Sequence, residues 1–423
     1  MKLPHWSVAP EGTPLVQRKN FLNVQIDGIG VGLAASSAPF LPVFLARMGG
    51  TNFEVGLLTA MPALTGLILA LPVGRFLQNR RRIVPWFSLS RLLVVSAYVL
   101  TGIAPFVVPD RWLVQVVLTI WAMATLPQTA LNVSFSVVMN GVAGPRGRYD
   151  LMSRRWTVLG LTMALTVAAA SEVLDLLAFP INYQAVFLGL SIGGLISYYF
   201  SSHIELPDSE PLPAPSGSRL GERLRGYVGS VLQERRFVSF VLKRFVFLAG
   251  TSLATPLFPL YYVRVVQASD WWIGLINTAQ MGVLLFGYFF WVRQSHRRGS
   301  RFVLLACTLA ISLYPALTAA STDVQVIMLI AGLSGIFQAG IDLVFFDELM
   351  KTVPPAYTAT FVSMAQLLTY LSTMVAPLLG TLLADRIGLA GALAVSAGVR
   401  LIGFGLFALP ERQAPLPQES GAA

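Results

Sequence analysis

The sequence is short of the residues on which most soluble chemistry depends. It has one cysteine, Cys307, so no internal disulfide can form. Its three histidines, His5, His203 and His296, all lie outside the long apolar runs, which leaves no histidine relay within those runs. There is no G-x-x-x-x-G-K-[ST] phosphate loop, no H-E-x-x-H, no C-x-x-C and no clustered set of carboxylates. Nucleotide-driven work by this polypeptide and an embedded enzyme therefore lack the residues to carry them, and no catalytic, cofactor-binding or metal-ligating set is expected. Charge is scarce as well. Asp, Glu, Lys and Arg make up 12% of 423 residues, about half the share of a soluble domain, too few to cover a water-facing surface.

What is present is apolar. Hydrophobic residues are 55% of the chain and the mean hydropathy is +0.67, which excludes intrinsic disorder. A membrane-spanning helix takes about 20 apolar residues, and the sequence offers twelve such runs: Phe21–Arg47, Glu54–Phe76, Ile83–Val108, Trp112–Met139, Trp156–Leu177, Tyr183–Ser201, Phe237–Val263, Trp272–Val292, Phe302–Ala320, Val324–Leu349, Thr358–Ala384 and Leu389–Leu409. The runs are long and continuous, unlike the ~10-residue alternation of a transmembrane barrel. The chain reads as an all-α, multi-pass membrane protein, with membrane lipids as its surroundings.

The formal charge of +10 invites a nucleic-acid reading, but the distribution argues against it. Of 30 Lys and Arg, 22 fall in segments on the N-terminal side of the membrane, counting Arg75 at the end of the second run. Four fall on the other side: Arg47, Arg111, Arg264 and Arg386. By the positive-inside rule both termini are cytoplasmic, and no nucleic-acid partner is expected. The division that follows is a cytoplasmic segment 1–20, a six-helix bundle 21–201, a connector 202–236, a second six-helix bundle 237–410 and a cytoplasmic tail 411–423. Within the connector, Pro207 to Ser218 is Pro/Ser-rich and reads as an extended linker. Arg219 to Arg236 spaces its apolar residues as a helix lying on the membrane surface.

The halves repeat. Residues 38–44, APFLPVF, align with 255–261, TPLFPLY, 217 positions on, so that Pro39 meets Pro256, Pro42 meets Pro259 and Arg47 meets Arg264. Gly56-Leu57 meets Gly274-Leu275 at 218. A second stretch repeats at 210: Gln128 with Gln338, Asn132 with Asp342, Pro145 with Pro355 and Ser153 with Ser363. Six spans per half make the repeat parallel, about an axis along the membrane normal. Proline inside spans 1 and 7 is tolerated where a helix lines a cavity.

On these residues the chain resembles the major facilitator superfamily of secondary transporters over nearly its whole length. The segment Gly74 to Arg82 (GRFLQNRRR) is similar to the family's G-x-L-a-D-R-x-G-R loop, with Gln78 in place of its aspartate and Arg81 in place of its second glycine, beside Arg80 and Arg82. Gly380 to Gly388 resembles a related loop after span 11, and Phe346-Asp347-Glu348 through Pro354-Pro355 resembles the span 10–11 junction. Asp347 and Glu348 correspond to Val137 and Val138, so the first half is expected to have a weaker charge latch.

Charge at bilayer depth is costly and marks function by default. The candidates are Asp27, Arg91, Lys243, Arg244, Asp342 and Arg400. The repeat maps Asp27 onto Arg244 and Asn132 onto Asp342, each about seven residues, or ~10 Å, from the cytoplasmic end of spans 1, 7, 4 and 10. The resemblance implies that those four helices line a central cavity. Asp27, Arg244 and Asp342 are therefore expected to face one another there as a gate, with an acid also a candidate to carry a coupling proton; a static pair is the plainer alternative. Arg91 and Arg400 read as packing partners, Lys243 as an interfacial side chain, and Glu172 and Asp175 as solvated. Gln128, Gln338, Asn277 and Gln280 are candidate substrate contacts, with interhelical bonding as the commoner use. Gly28, Gly30 and Gly32 are expected to permit close helix approach.

The expected function is secondary active transport of a small-molecule substrate by alternating access, in the cell membrane, by a monomer coupled to H+, with export of an amphipathic compound favoured. Uptake of a small polar solute (sugar, amino acid or organic anion) is the alternative, and a non-transporting sensor or lipid-moving protein on the same fold a second one.

Overall fold

A computed structural model describes residues 14–78, 80–207, 233–352 and 358–409, and among these it is helical with no strand. The amphipathic segment expected over 219–236 lies mostly outside the described residues, as does the tail 411–423.

Proline sets the first break. Lacking an N–H and clashing with the carbonyl four residues back, it cannot continue a regular helix. Span 1 is accordingly two helices, α1 (Leu15–Ala35) and α2 (Phe40–Arg47), parted just before Phe40 at Pro39. Then come α3 (Asn52–Gln78), α4 (Val84–Val107) and α5 (Asp110–Leu176). Helix α5 carries spans 4 and 5 as one run of 67 residues. Span 6 is α6 (Ile181–Leu190) followed by α7 (Ile192–Ser202).

The second half repeats the plan. Span 7 is α8 (Arg235–Ala254) and α9 (Leu257–Arg264), broken at the repeat proline Pro256. It is followed by α10 (Asp270–Arg298), α11 (Ser300–Ala319), α12 (Val324–Thr352) and α13 (Thr358–Ala408). Among the described residues eleven runs are long and apolar enough to cross a membrane. The last, Met364–Ala408, has 45 residues and is interrupted at Gly388, whose φ of 80° lies outside the helical region. Its 45 residues, about twice what one crossing takes, are thus two successive helices that meet at Gly388.

Helix α1 begins at Leu15, six residues before the apolar run, so the polar turn with Arg18 and Lys19 is helical. At that end Lys19 and Asn20 bond to Glu205, which follows α7. Helices α1 to α7 pack chiefly on one another, as do α8 to α13; the halves meet where α3 lies on α13 and α5 on α10. Of the three glycines on α1, Gly30 allows the closest approach. A Cβ there would stand 2.5 Å from the carbonyl oxygen of Gly193 on α7, closer than van der Waals contact allows. Large apolar side chains such as Phe106, Leu165, Phe286, Phe289, Leu329 and Ile402 are exposed around the outside, as a surface facing acyl chains requires.

Candidate functional site: a cleft between the two repeats

The prolines that break spans 1 and 7 line the central feature of the molecule. A cavity of about 510 Å³ lies between the halves, with Pro39 and Pro42 on one wall and Pro256 and Pro259 on the other. The size suits a small solute. Its floor is closed by contacts at the face away from the termini.

That closure is reciprocal. From the end of α2, Arg47 donates from Nε to Asp270 Oδ1 at 2.7 Å and from Nη2 to the Ala268 carbonyl at 2.8 Å. From the end of α9, Arg264 donates to Asn52 Oδ1 and to the Gly50 carbonyl. Arg264 is 217 residues after Arg47, while Ala268 and Asp270 are each 218 after Gly50 and Asn52. Each arginine thus reaches the same two positions in the opposite half. Around them Asn52 donates to Asp385 at 2.6 Å and Trp271 to Glu172 at 2.7 Å. Glu172, expected to be merely solvated, belongs to this clasp. Charge-assisted bonds of this kind contribute about 1.5–3 kcal/mol each.

The charged positions expected to meet do not form one group. Asp27 has 0% exposure and is sealed within the first half. It accepts from Arg155 Nη2 at 2.7 Å and Ser197 Oγ at 2.5 Å, and lies 3.5 Å from Arg91 Nη2. The reason is proximity. Two guanidiniums in the elements packed on α1 need a countercharge, and a short aspartate side chain reaches them but not the far half. Arg244 sits on α8 with its guanidinium 5.7 Å from the Phe345 ring centroid, and among the described residues no carboxylate pairs with it. Arg155 escaped sequence reasoning because the apolar run starts at Trp156, which left Arg155 in a loop; it is 2% exposed. The signal available was its place one residue from that boundary, on a helix that continues through it.

The other pair is not sealed in. Asn132 on α5 and Asp342 on α12 are both exposed. Gln128 Nε2 donates to Asn132 Oδ1 at 3.0 Å, and Gln338 Nε2 to Asp342 Oδ1 at 2.8 Å. One glutamine-to-acceptor bond, i to i+4, is therefore built twice, and the second copy alone holds an ionisable group. Tyr288 on α10 donates to Asp342 Oδ2 at 3.0 Å.

Residues 240–423 match the model of the Major Facilitator Superfamily. The whole chain is similar in fold to solved transporters. A bacterial homologue of the iron transporter ferroportin, in its inward-facing state, superposes with a TM-score of 0.68 at 16% identity, over 93% of this chain and 98% of that one. A bacterial homologue of the human lysosomal transporter Spinster, inward-facing and unoccupied, gives 0.67 at 12%, over 94% and 97%. The nucleoside transporter NupG gives 0.66 at 11%, over 93% and 98%. In fold the chain is similar to these transporters, and its sequence match to the superfamily lies in the second half. No curated protein matches it in sequence.

The remaining expected residues fall into three places. Asn277, Gln280 and Gln338 border the cavity; Asn277 Nδ2 donates to the Ile273 carbonyl at 2.8 Å and Gln280 Nε2 to Ser334 Oγ at 3.2 Å. Gln128 is not among the cavity-lining residues. The superfamily-like loop after α3 shows Arg80 stacked over Phe76, 4.3 Å from its centroid, with Arg81 and Arg82 exposed; Gly74 and Gln78 belong to α3. Asp347 and Glu348 bond within their own helix to Lys351, at 2.6 and 3.0 Å. Arg400, expected to be a packing residue, borders the cavity instead.

Proposed function

We propose that this chain is a secondary transporter that carries a small solute across the cell membrane by alternating access, through the cleft between its repeats and as a monomer. The observation that carries the reading is the pairing of one cavity with one reciprocal clasp. The helix breaks that line the cavity lead directly, through α2 and α9, to the arginines that close one side of it, so opening the clasp exposes the same cavity to the opposite face. Spin labels at Met48→Cys and Val265→Cys, one on each side of the clasp, test this by pulsed dipolar spectroscopy in liposomes. Two distance populations, exchanging in weight between the wild-type clasp and Arg47→Ala, are expected. A single distance in both overturns alternating access at this cleft.

Proton coupling is assigned to Asp342 rather than Asp27. Asp342 is exposed, one helical turn from the cavity-lining Gln338, and held by two neutral donors, whereas Asp27 is buried between two guanidiniums. Asp342→Asn should abolish accumulation driven by a pH gradient and leave solute exchange across equal pH intact. Gradient-driven accumulation that survives in Asp342→Asn removes this assignment.

A further inference from the structure

We infer that the cavity selects a solute bearing a negative charge on an apolar, aromatic-sized body, with Arg400 as its countercharge. The inference rests on the transport reading above and names the class of cargo for that cavity.

Arg400 is on α13, in the segment after Gly388, and is the one residue bordering the cavity that carries a formal charge. It is 3% exposed. Its Nη1 donates to the Ile311 carbonyl at 3.1 Å, its stem packs on Gly250, and its Nε is buried with no hydrogen-bond partner. Among the described residues it forms no ion pair. A guanidinium in a low-dielectric site without a carboxylate is expensive. Asp27 gives Arg91 and Arg155 a carboxylate inside the first half, and Arg244, like Arg400, has none among the described residues, but of these four arginines Arg400 is the one that borders the cavity. A bound carboxylate would pair with it and relieve the unpartnered Nε.

The rest of the wall describes the body of the ligand. Trp121, Tyr98 and Phe258 offer aromatic faces, and Tyr262 and Tyr314, whose hydroxyls meet at 3.3 Å, offer a polar edge beside Arg400. The acid of the cleft, Asp342, does not border the cavity. It is one helical turn beyond Gln338, which does, so no fixed negative charge opposes an anion at the cavity wall. The sequence expectation favoured export of an amphipathic compound, named an organic anion only under the uptake alternative, and pictured an acid at the centre.

Three probes of one shape isolate charge: 2-naphthoate, 2-naphthamide and 2-naphthylmethylammonium. Each is titrated into the detergent-purified full chain, with thermal stabilisation and quenching of tryptophan fluorescence as readouts. Naphthoate is expected to bind at least tenfold more tightly than the amide, and the ammonium more weakly than both. Arg400→Gln should remove the preference for naphthoate over naphthamide, and Arg400→Lys should keep part of it. Equal affinity for the three, tighter binding of the ammonium, or a naphthoate preference that persists in folded Arg400→Gln overturns the inference; so does a wild-type chain that none of the three stabilises. The charge series on the wild-type chain stands even if the variants fail to fold. Because the spin-label distances across the clasp involve no ligand, a failed charge series beside two distance populations overturns the anion and leaves transport standing, while a single distance overturns transport.

Discussion

Replacing Asp27 by alanine leaves Arg91 and Arg155 buried in the first half without their carboxylate. Breaking a buried ion pair from one side costs about 3–5 kcal/mol, so Asp27→Ala should lower the melting temperature steeply or prevent recovery of folded protein on size exclusion. Asp342→Asn, at an exposed position with its glutamine bond kept, should shift the melting temperature little. A mild Asp27→Ala phenotype with a severe Asp342→Asn one would reverse the roles assigned to the two acids. The sequence announced both acids by their depth in apolar runs, yet the partner it nominated for Asp27 was wrong. Repeat correspondence relates positions, not contacts: Asp27 and Arg244 are equivalent by the 217-residue offset, and equivalence about an axis does not bring two side chains together. Arg155 stayed hidden for a related reason, since hydropathy cannot tell a guanidinium at a span's edge that points to water from one that turns inward.

At the scale of elements the pattern was far more legible. The prolines at 39 and 256 end α1 and α8 through missing hydrogen bonds, and the same residues line the cavity. Span edges were harder to read, because a helix does not stop where its hydropathy does: α1 begins at Leu15 and α5 runs from Asp110 to Leu176 through the charged stretch between two spans. Two glycines are open to test. Gly30→Leu should abolish folding, because its Cβ meets the backbone of Gly193 rather than a flexible side-chain tip; fluorescence-detected size exclusion reads this directly. Gly388→Ala meets no atom within 4 Å and suffers only from a backbone at φ 80°, ψ 163° that is essentially confined to glycine, a cost of about 1–3 kcal/mol. A folded Gly30→Leu protein of wild-type stability would mean that α1 and α7 are not in contact.

For the whole molecule, the proposed transport cycle makes the clasp the element that governs which face the cavity serves. Losing the bonds of one arginine removes at least about 1.5–3 kcal/mol from the closed arrangement, a shift of about tenfold or more in its population, and Arg47→Ala with Arg264→Ala should shift it further than either alone. A membrane-impermeant maleimide added from the clasp side should then label Thr255→Cys on the cavity wall in the double variant and much less in the parent that carries Thr255→Cys with both arginines intact. Cys307 is fully buried and gives little background. Equal labelling in parent and variant would show that the arginines do not hold the cavity shut. The clasp has a further consequence. Contacts in which position i of one unit meets j of the other, and j meets i, are those of an isologous interface between two identical subunits. Arg47 with Ala268 and Asp270, and Arg264 with Gly50 and Asn52, are what a homodimer of one six-helix unit would make about its twofold axis, fused here into a single chain. The fusion frees the two copies to diverge, and at this interface one has: an aspartate at 270 faces its arginine as an ion, while its counterpart at 52 is an asparagine that answers with a neutral amide.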